Sequence, residues 1–104
     1  MTIRHIVSWK LASTDADTRA EQAKEISRQL HTLPAVIPDI LAFEVGINAL
    51  NADSNFDVVL TADYADEAGL QRYVEHPDHQ KVAAYIHSIV SGRAGVDYRV
   101  AKPL

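Results

Sequence analysis

Apolar and polar residues alternate strictly at the start of the chain. Ile3, His5, Val7, Trp9 and Leu11 fall on one side of an extended segment, and Arg4, Ile6, Ser8 and Lys10 on the other, which is the period of a strand. Ser13-Thr14-Asp15 then supplies capping oxygens. Ala16, Ala20, Ala23, Ser27 and Leu30 follow at helical spacing, with Ile26 and Leu33 widening the apolar stripe. Pro34 and Pro38 stop this helix. A second strand is predicted at about 40–48, where Leu41, Phe43, Val45 and Ile47 alternate with Ala42, Glu44 and Gly46. The polar run Asn48 to Asn55 reads as a hairpin loop. Phe56 to Tyr64 reads as a third strand, apolar enough to be buried on both faces.

Asp66 caps a short predicted helix carrying Leu70, Tyr73 and Val74. Pro77 opens a longer one, at a first-turn position where its missing N–H costs nothing. Val82, Ile86, Ile89 and Val90 form its inner stripe, Gly92 is its expected C-cap, and Ala94 to Val100 is the last strand, followed by a short tail, Lys102-Pro103-Leu104. The order β-α-β-β-α-β predicts an α+β fold, a ferredoxin-like subunit whose four-stranded antiparallel sheet carries its helices on one face. The chain reads as a single domain, 1–104. The other face carries Ile6 and Val59 and needs a cover. A two-fold homodimer packing sheet against sheet is the simplest closed solution.

Composition narrows the functional classes. The formal net charge is −4, and the ten Lys and Arg form no run, which argues against a nucleic-acid binder. There is no cysteine, so disulfides, thiol nucleophiles and thiolate metal sites are excluded. Neither a signal peptide nor an 18-residue apolar run is evident, so the expectation is a soluble, cytoplasmic protein without membrane contact.

Candidate chemistry concentrates at Tyr73-Val74-Glu75-His76-Pro77-Asp78-His79. Imidazoles move protons near neutral pH, and a phenol can donate to a developing oxyanion. Helical counting puts His79 on one face with Val82, Ala83, Ile86 and Val90, so it points toward the sheet. It also sits in the first turn after Pro77, where the positive helix end disfavours a second charge. A neutral imidazole there can act as a base. His76 precedes Pro77 and falls outside the helix. Sequence offers no third ligand to join His76 and His79, so no metal site is expected. His31 and His87 read as surface residues. Each singled-out residue also has a plain structural reading: His5 and His79 as satisfied buried histidines, Tyr73 as a core aromatic, Asp97 as an exposed strand acid.

Three segments together resemble the stress-responsive dimeric α/β-barrel (Dabb) family: Ile3-Arg4-His5-Ile6-Val7, the Tyr73–His79 segment, and Val96-Asp97-Tyr98. The resemblance implies a homodimer whose two sheets form a barrel. It is similar in four residue types to olivetolic acid cyclase, a relative that closes a polyketide by an aldol reaction without metal or organic cofactor. His79 and Tyr73 match its catalytic pair, His5 matches a pocket histidine, and Asp97 matches an aspartate that partners the catalytic histidine. The resemblance therefore implies a catalytic set of His79, Tyr73, Asp97 and His5, no cofactor, and a small-molecule pocket lined by Val7, Trp9, Leu60, Val74 and Ile86. Trp9 replaces a smaller pocket residue, and Ala20, Ala23 and Ser27 stand where that enzyme has aromatic bulk. A cyclase, an isomerase, a cofactor-independent monooxygenase and a non-enzymatic stress or ligand-binding dimer all remain open. The enzyme readings require His79, Tyr73 and His5 to meet at one cavity that Trp9 does not fill.

Overall fold

The computed structural model describes residues 1–102; Pro103 and Leu104, the end of the expected tail, lie outside the described residues. The elements run β1 (Thr2–Leu11), α1 (Ala16–Leu30), β2 (Ile40–Ile47), β3 (Val58–Tyr64), α2 (Glu67–Glu75), α3 (Pro77–Ile89) and β4 (Val90–Val100). All strand pairs are antiparallel, in the order β2-β3-β1-β4. This is the ferredoxin-like arrangement, with β1 central and β4 on an edge.

The capping chemistry works locally. Asp15 accepts the Thr18 N–H at 2.8 Å and so starts α1. Asp66 accepts the Gly69 N–H at 2.8 Å and starts α2. His76 joins two helices: its own N–H closes α2 onto Tyr73, and its ring Nδ1 accepts the Asp78 N–H at 3.1 Å to cap α3. Pro77 takes the first position of α3 as expected. The alternation in β1 is realised residue by residue: Ile3, His5, Val7, Trp9 and Leu11 are buried beneath the helices, and the residues between them are not. Ile26 and Leu30 of α1, Leu33 and Ile37 after it, and Val82 and Ile86 of α3 close the core from above.

Two boundaries differ from expectation. β3 begins at Val58 rather than Phe56, because Asp57 is engaged elsewhere. Its N–H donates to Trp9 O, and its carboxylate accepts from the Leu11 N–H and Arg19. The last helix ends at Ile89, and Val90 turns directly into β4 in extended conformation, so Val90 belongs to the strand. Gly92 is therefore no C-cap. It pairs with Lys10 within the sheet, where an added Cβ would meet Lys10 and the Phe56 ring at 3.4 Å. A bulge between Lys10 and Leu11 absorbs the junction.

The face turned away from the helices is uncovered. Ile6 and Val59 are half-buried there, while Val96 is 60% and Tyr98 41% exposed. Among them Arg4 donates from Nε and Nη2 to both oxygens of Asp63, at 3.0 and 3.2 Å, and the Asp63 side chain is fully buried. Among the described residues no helix is long and apolar enough to cross a membrane.

Candidate active site

Between α3 and the inner face of the sheet lies a cavity of about 530 Å³, within the range of small-molecule sites. Val7 and Trp9 of β1, Leu60 of β3, Val74 of α2 and Ile86 of α3 all line it. Trp9 is packed into the wall and does not close the space. The Ala stretch of α1 stays away from the cavity, to which that helix contributes Leu30.

Three of the four singled-out residues meet here. His5, Tyr73 and His79 line the cavity from β1, α2 and α3. The break at His76-Pro77 is what brings the last two together: it turns the chain between helices so that the Tyr73 and His79 rings lie 4.3 Å apart, centroid to centroid. The His79 Nδ1 lies 3.0 Å from Val74 O. A carbonyl can only accept, so Nδ1 carries the proton and, in the neutral ring, Nε2 holds the lone pair. Burial lowers the His79 pKa below its ordinary value, opposed by the Val74 bond and aided by the fields of His5, His76 and Arg93. His79 is therefore a half-buried imidazole, neutral at pH 7, with one basic nitrogen uncommitted among the described residues.

Asp97 goes elsewhere than expected. It does not reach His79. The register of β1 and β4 sets it opposite His5, and its carboxylate binds His5 Nδ1. The resemblance had assigned it to the catalytic histidine; in this fold the backbone carbonyl of Val74 orients His79, and Asp97 orients His5. That leaves Nε2 as the His5 nitrogen open to a ligand.

Tyr64 was read only as the end of a buried strand, yet it completes the cluster. Its ring lies 5.1 Å from that of Tyr73 and 6.4 Å from that of His5. Neither phenol hydroxyl has a hydrogen-bond partner of normal geometry among the described residues, and both are closed to solvent. Burial raises the pKa of each phenol well above the ordinary value, so both remain protonated donors. Two further cavity residues escaped the sequence reading, His87 of α3 and Arg93 of β4. Arg93 was legible by parity: once Asp97 faces inward, so must every second residue of the strand. His31, by contrast, is a surface residue that bonds back to Ser27 O. Among the described residues no group of three or more His, Asp or Glu is placed to hold a metal ion, and His76 Nδ1 is occupied by the Asp78 N–H.

A family model described as the stress responsive A/B barrel domain, Dabb, matches residues 3–100. The chain belongs to the Dabb family. No curated protein matches it. Among solved structures, this Dabb chain is similar to a dimeric ferredoxin-like protein of unknown function from Thermobifida fusca. The two are 31% identical over 96% of this chain and 92% of that one, with a TM-score of 0.81. A dimeric protein of unknown function and ferredoxin-like fold from Bacteroides fragilis is 25% identical, covers 95% of this chain and 96% of its own, and superposes at a TM-score of 0.86. The hydroxynitrile lyase of Passiflora edulis shares the fold at a TM-score of 0.77 and 15% identity, over 99% of this chain and 96% of that one.

Proposed function

We propose that this Dabb chain is a cytoplasmic homodimer with one small-molecule site per subunit, in which His79 works as a cofactor-free base. The observation that carries the reading is the state of His79: neutral through burial, with Nδ1–H spent on Val74 O and Nε2 free at a cavity. A ligand carbonyl in the cavity would lose a proton from its α-carbon to Nε2. The electron pair of that C–H bond would move onto the carbonyl oxygen as an enolate. Tyr73 would donate its O–H to that oxygen in place of its contact with the Tyr64 hydroxyl, and His5, held by Asp97, would position the ligand. Because the Tyr73 hydroxyl is closed to solvent, this role requires a small turn of its ring toward the cavity. From the enolate, aldol cyclisation and isomerisation are both open. The fold neighbour named as a hydroxynitrile lyase is consistent with lyase chemistry on this scaffold, at a likeness that extends to the fold alone.

The same closed hydroxyl favours a second reading, a ligand-binding dimer in which the imidazoles only hold the ligand. Proton exchange separates the two. A panel of 1,3-diketones in D2O, followed by NMR, should show α-proton exchange accelerated by the wild type and reduced by about 10²–10⁴-fold in His79→Ala. Equal exchange by both proteins moves the conclusion to ligand binding, and oxygen uptake with a quinol moves it to a monooxygenase. Dimerisation is supported by the uncovered face with Ile6, Val59, Val96 and Tyr98 and by the dimeric state of the Thermobifida relative.

A further inference from the structure

The chain has six arginines. Five of them each bind a carboxylate: Arg4 to Asp63, Arg19 to Asp57, Arg28 to Glu25, Arg72 to Asp39 and Arg99 to Glu67. The sixth, Arg93, has no carboxylate partner among the described residues, and it is the arginine that lines the cavity. We propose that Arg93 is the specificity-determining residue of this site and that it selects a monocarboxylate ligand, an apolar body ending in a single carboxylate group.

The cavity wall supports the body of such a ligand. Val7, Trp9, Leu60, Val82 and Ile86 make it predominantly apolar. Its charge is the reverse of the molecule's. The chain carries 14 Asp and Glu and a net charge of −4, yet no acidic residue lines this cavity, and the inward carboxylate of β4, Asp97, is taken by His5 Nδ1. A lone guanidinium in that setting matches one planar monoanion, in the bidentate geometry arginine forms with carboxylates. Phosphate monoesters carry more charge, and the wall offers no second permanent cation.

The strand makes room for this role. Arg93 faces inward opposite Trp9, and two residues on, Gly95 faces the same way opposite Val7. A Cβ at Gly95 would stand 3.1 Å from the Arg93 Nη1, so the guanidinium lies against the bare backbone of its own strand. β4 is the edge strand of the sheet, and Arg93 is exposed, which puts the cation where the cavity meets solvent. The field of Arg93 also reaches His79, where it helps hold the imidazole neutral. A carboxylate on Arg93 would offset that field, so the bound anion and the base are electrostatically linked.

This inference rests on the reading of the cavity as a ligand site, and the test keeps the two apart. Trp9 is the single tryptophan and lines the wall, so its fluorescence reports occupancy. Octanoate, 1-octanol and octyl phosphate are titrated into the wild type, Arg93→Gln and Arg93→Lys. The wild type should bind octanoate about tenfold or more tightly than octanol, as expected for a charge-assisted hydrogen bond. Arg93→Gln should erase that preference, read as the ratio of octanoate to octanol affinity within the same variant, and Arg93→Lys should restore part of it. Equal affinity for octanoate and octanol in the wild type, or a preference that survives in Arg93→Gln, overturns the role of Arg93 and leaves the cavity reading standing. Tighter binding of octyl phosphate than of octanoate overturns the carboxylate assignment. Silence of Trp9 toward all three probes overturns the inference and the cavity reading together.

Discussion

Arg4 and His5 are neighbours on β1, and each binds an aspartate across the sheet, but on opposite faces and with opposite results. On the outer face Arg4 engages both oxygens of Asp63 and also donates to Lys102 O. In that pair both carboxylate oxygens are engaged, and Asp63 is sealed from solvent. On the inner face Asp97 takes one nitrogen of His5 and leaves the other open, and about half of the Asp97 side chain is exposed. Around it stand His79 with a free Nε2 and two phenols without normal partners. A pair with both oxygens engaged fixes a surface. Unspent donors and acceptors beside a cavity carry unfilled interactions, and a buried polar group left unmade costs about 1–3 kcal/mol. Under the proposed function, the outer face would serve assembly and the inner face chemistry.

Substitutions on the two faces can break this division. The largest effect on folding is expected from Leu60→Ala, beneath the helices and 1% exposed, which should lower unfolding free energy by about 2–5 kcal/mol in a denaturant titration. Its neighbour in type but not in setting is Val96→Asp on the outer face. This change should convert dimer to monomer in sedimentation at micromolar concentration, while changing the stability of the isolated subunit by no more than about 0.5 kcal/mol. If Val96→Asp remains dimeric, the outer face is not where copies meet. A wild type that sediments as a monomer would undo the assembly assignment altogether.

The smallest effect is the one that pH exposes. Burial, assisted by its charged neighbours, holds the His79 pKa below its ordinary 6.5. As pH falls below that ordinary value, the unfolded chain takes up a proton that the folded one still refuses. His79 therefore supports the fold at neutral pH, and that support is lost as pH falls toward the folded pKa. The same titration sets the chemistry: α-proton exchange should decline on the acid side with a midpoint below 6.5. A midpoint at or above that value would mean that the imidazole is not buried as described. Arg4 stays charged throughout this range, its pKa raised by the bond to Asp63, and dimer dissociation is expected not to track the exchange profile.

The inner face was largely legible in the sequence because its information is local. Alternation in β1 places His5, Val7 and Trp9 correctly, and helical counting from Pro77 sends His79 inward. What the sequence does not carry is register between strands. Asp97 was expected at His79 because the family resemblance paired them, but pairing across β1 and β4 takes it to His5. Tyr64 was hidden in an apolar run whose buried face says nothing about neighbours 5.1 Å away on another element. Gly92 misled for a different reason. Glycine after a helical stripe signals a cap when a loop follows, and here no loop follows. The outer pair was invisible for the same reason as Asp97, since Arg4 and Asp63 are 59 residues apart.

The missing loop between α3 and β4 has a consequence for how the site can vary. His79 stands at the start of α3 and Arg93 near the start of β4, joined by helix and strand without a flexible joint. The distance from the base to the cation is thus a covalent gauge, set by the number of residues between them. Strands β2 and β3, by contrast, are joined by a turn from Asn48 to Asp57. Along the α3–β4 run a single inserted residue would rotate one end against the other. Under the proposed function, ligands of different length would be accommodated by the apolar wall, because the two polar ends of the gauge move as one piece.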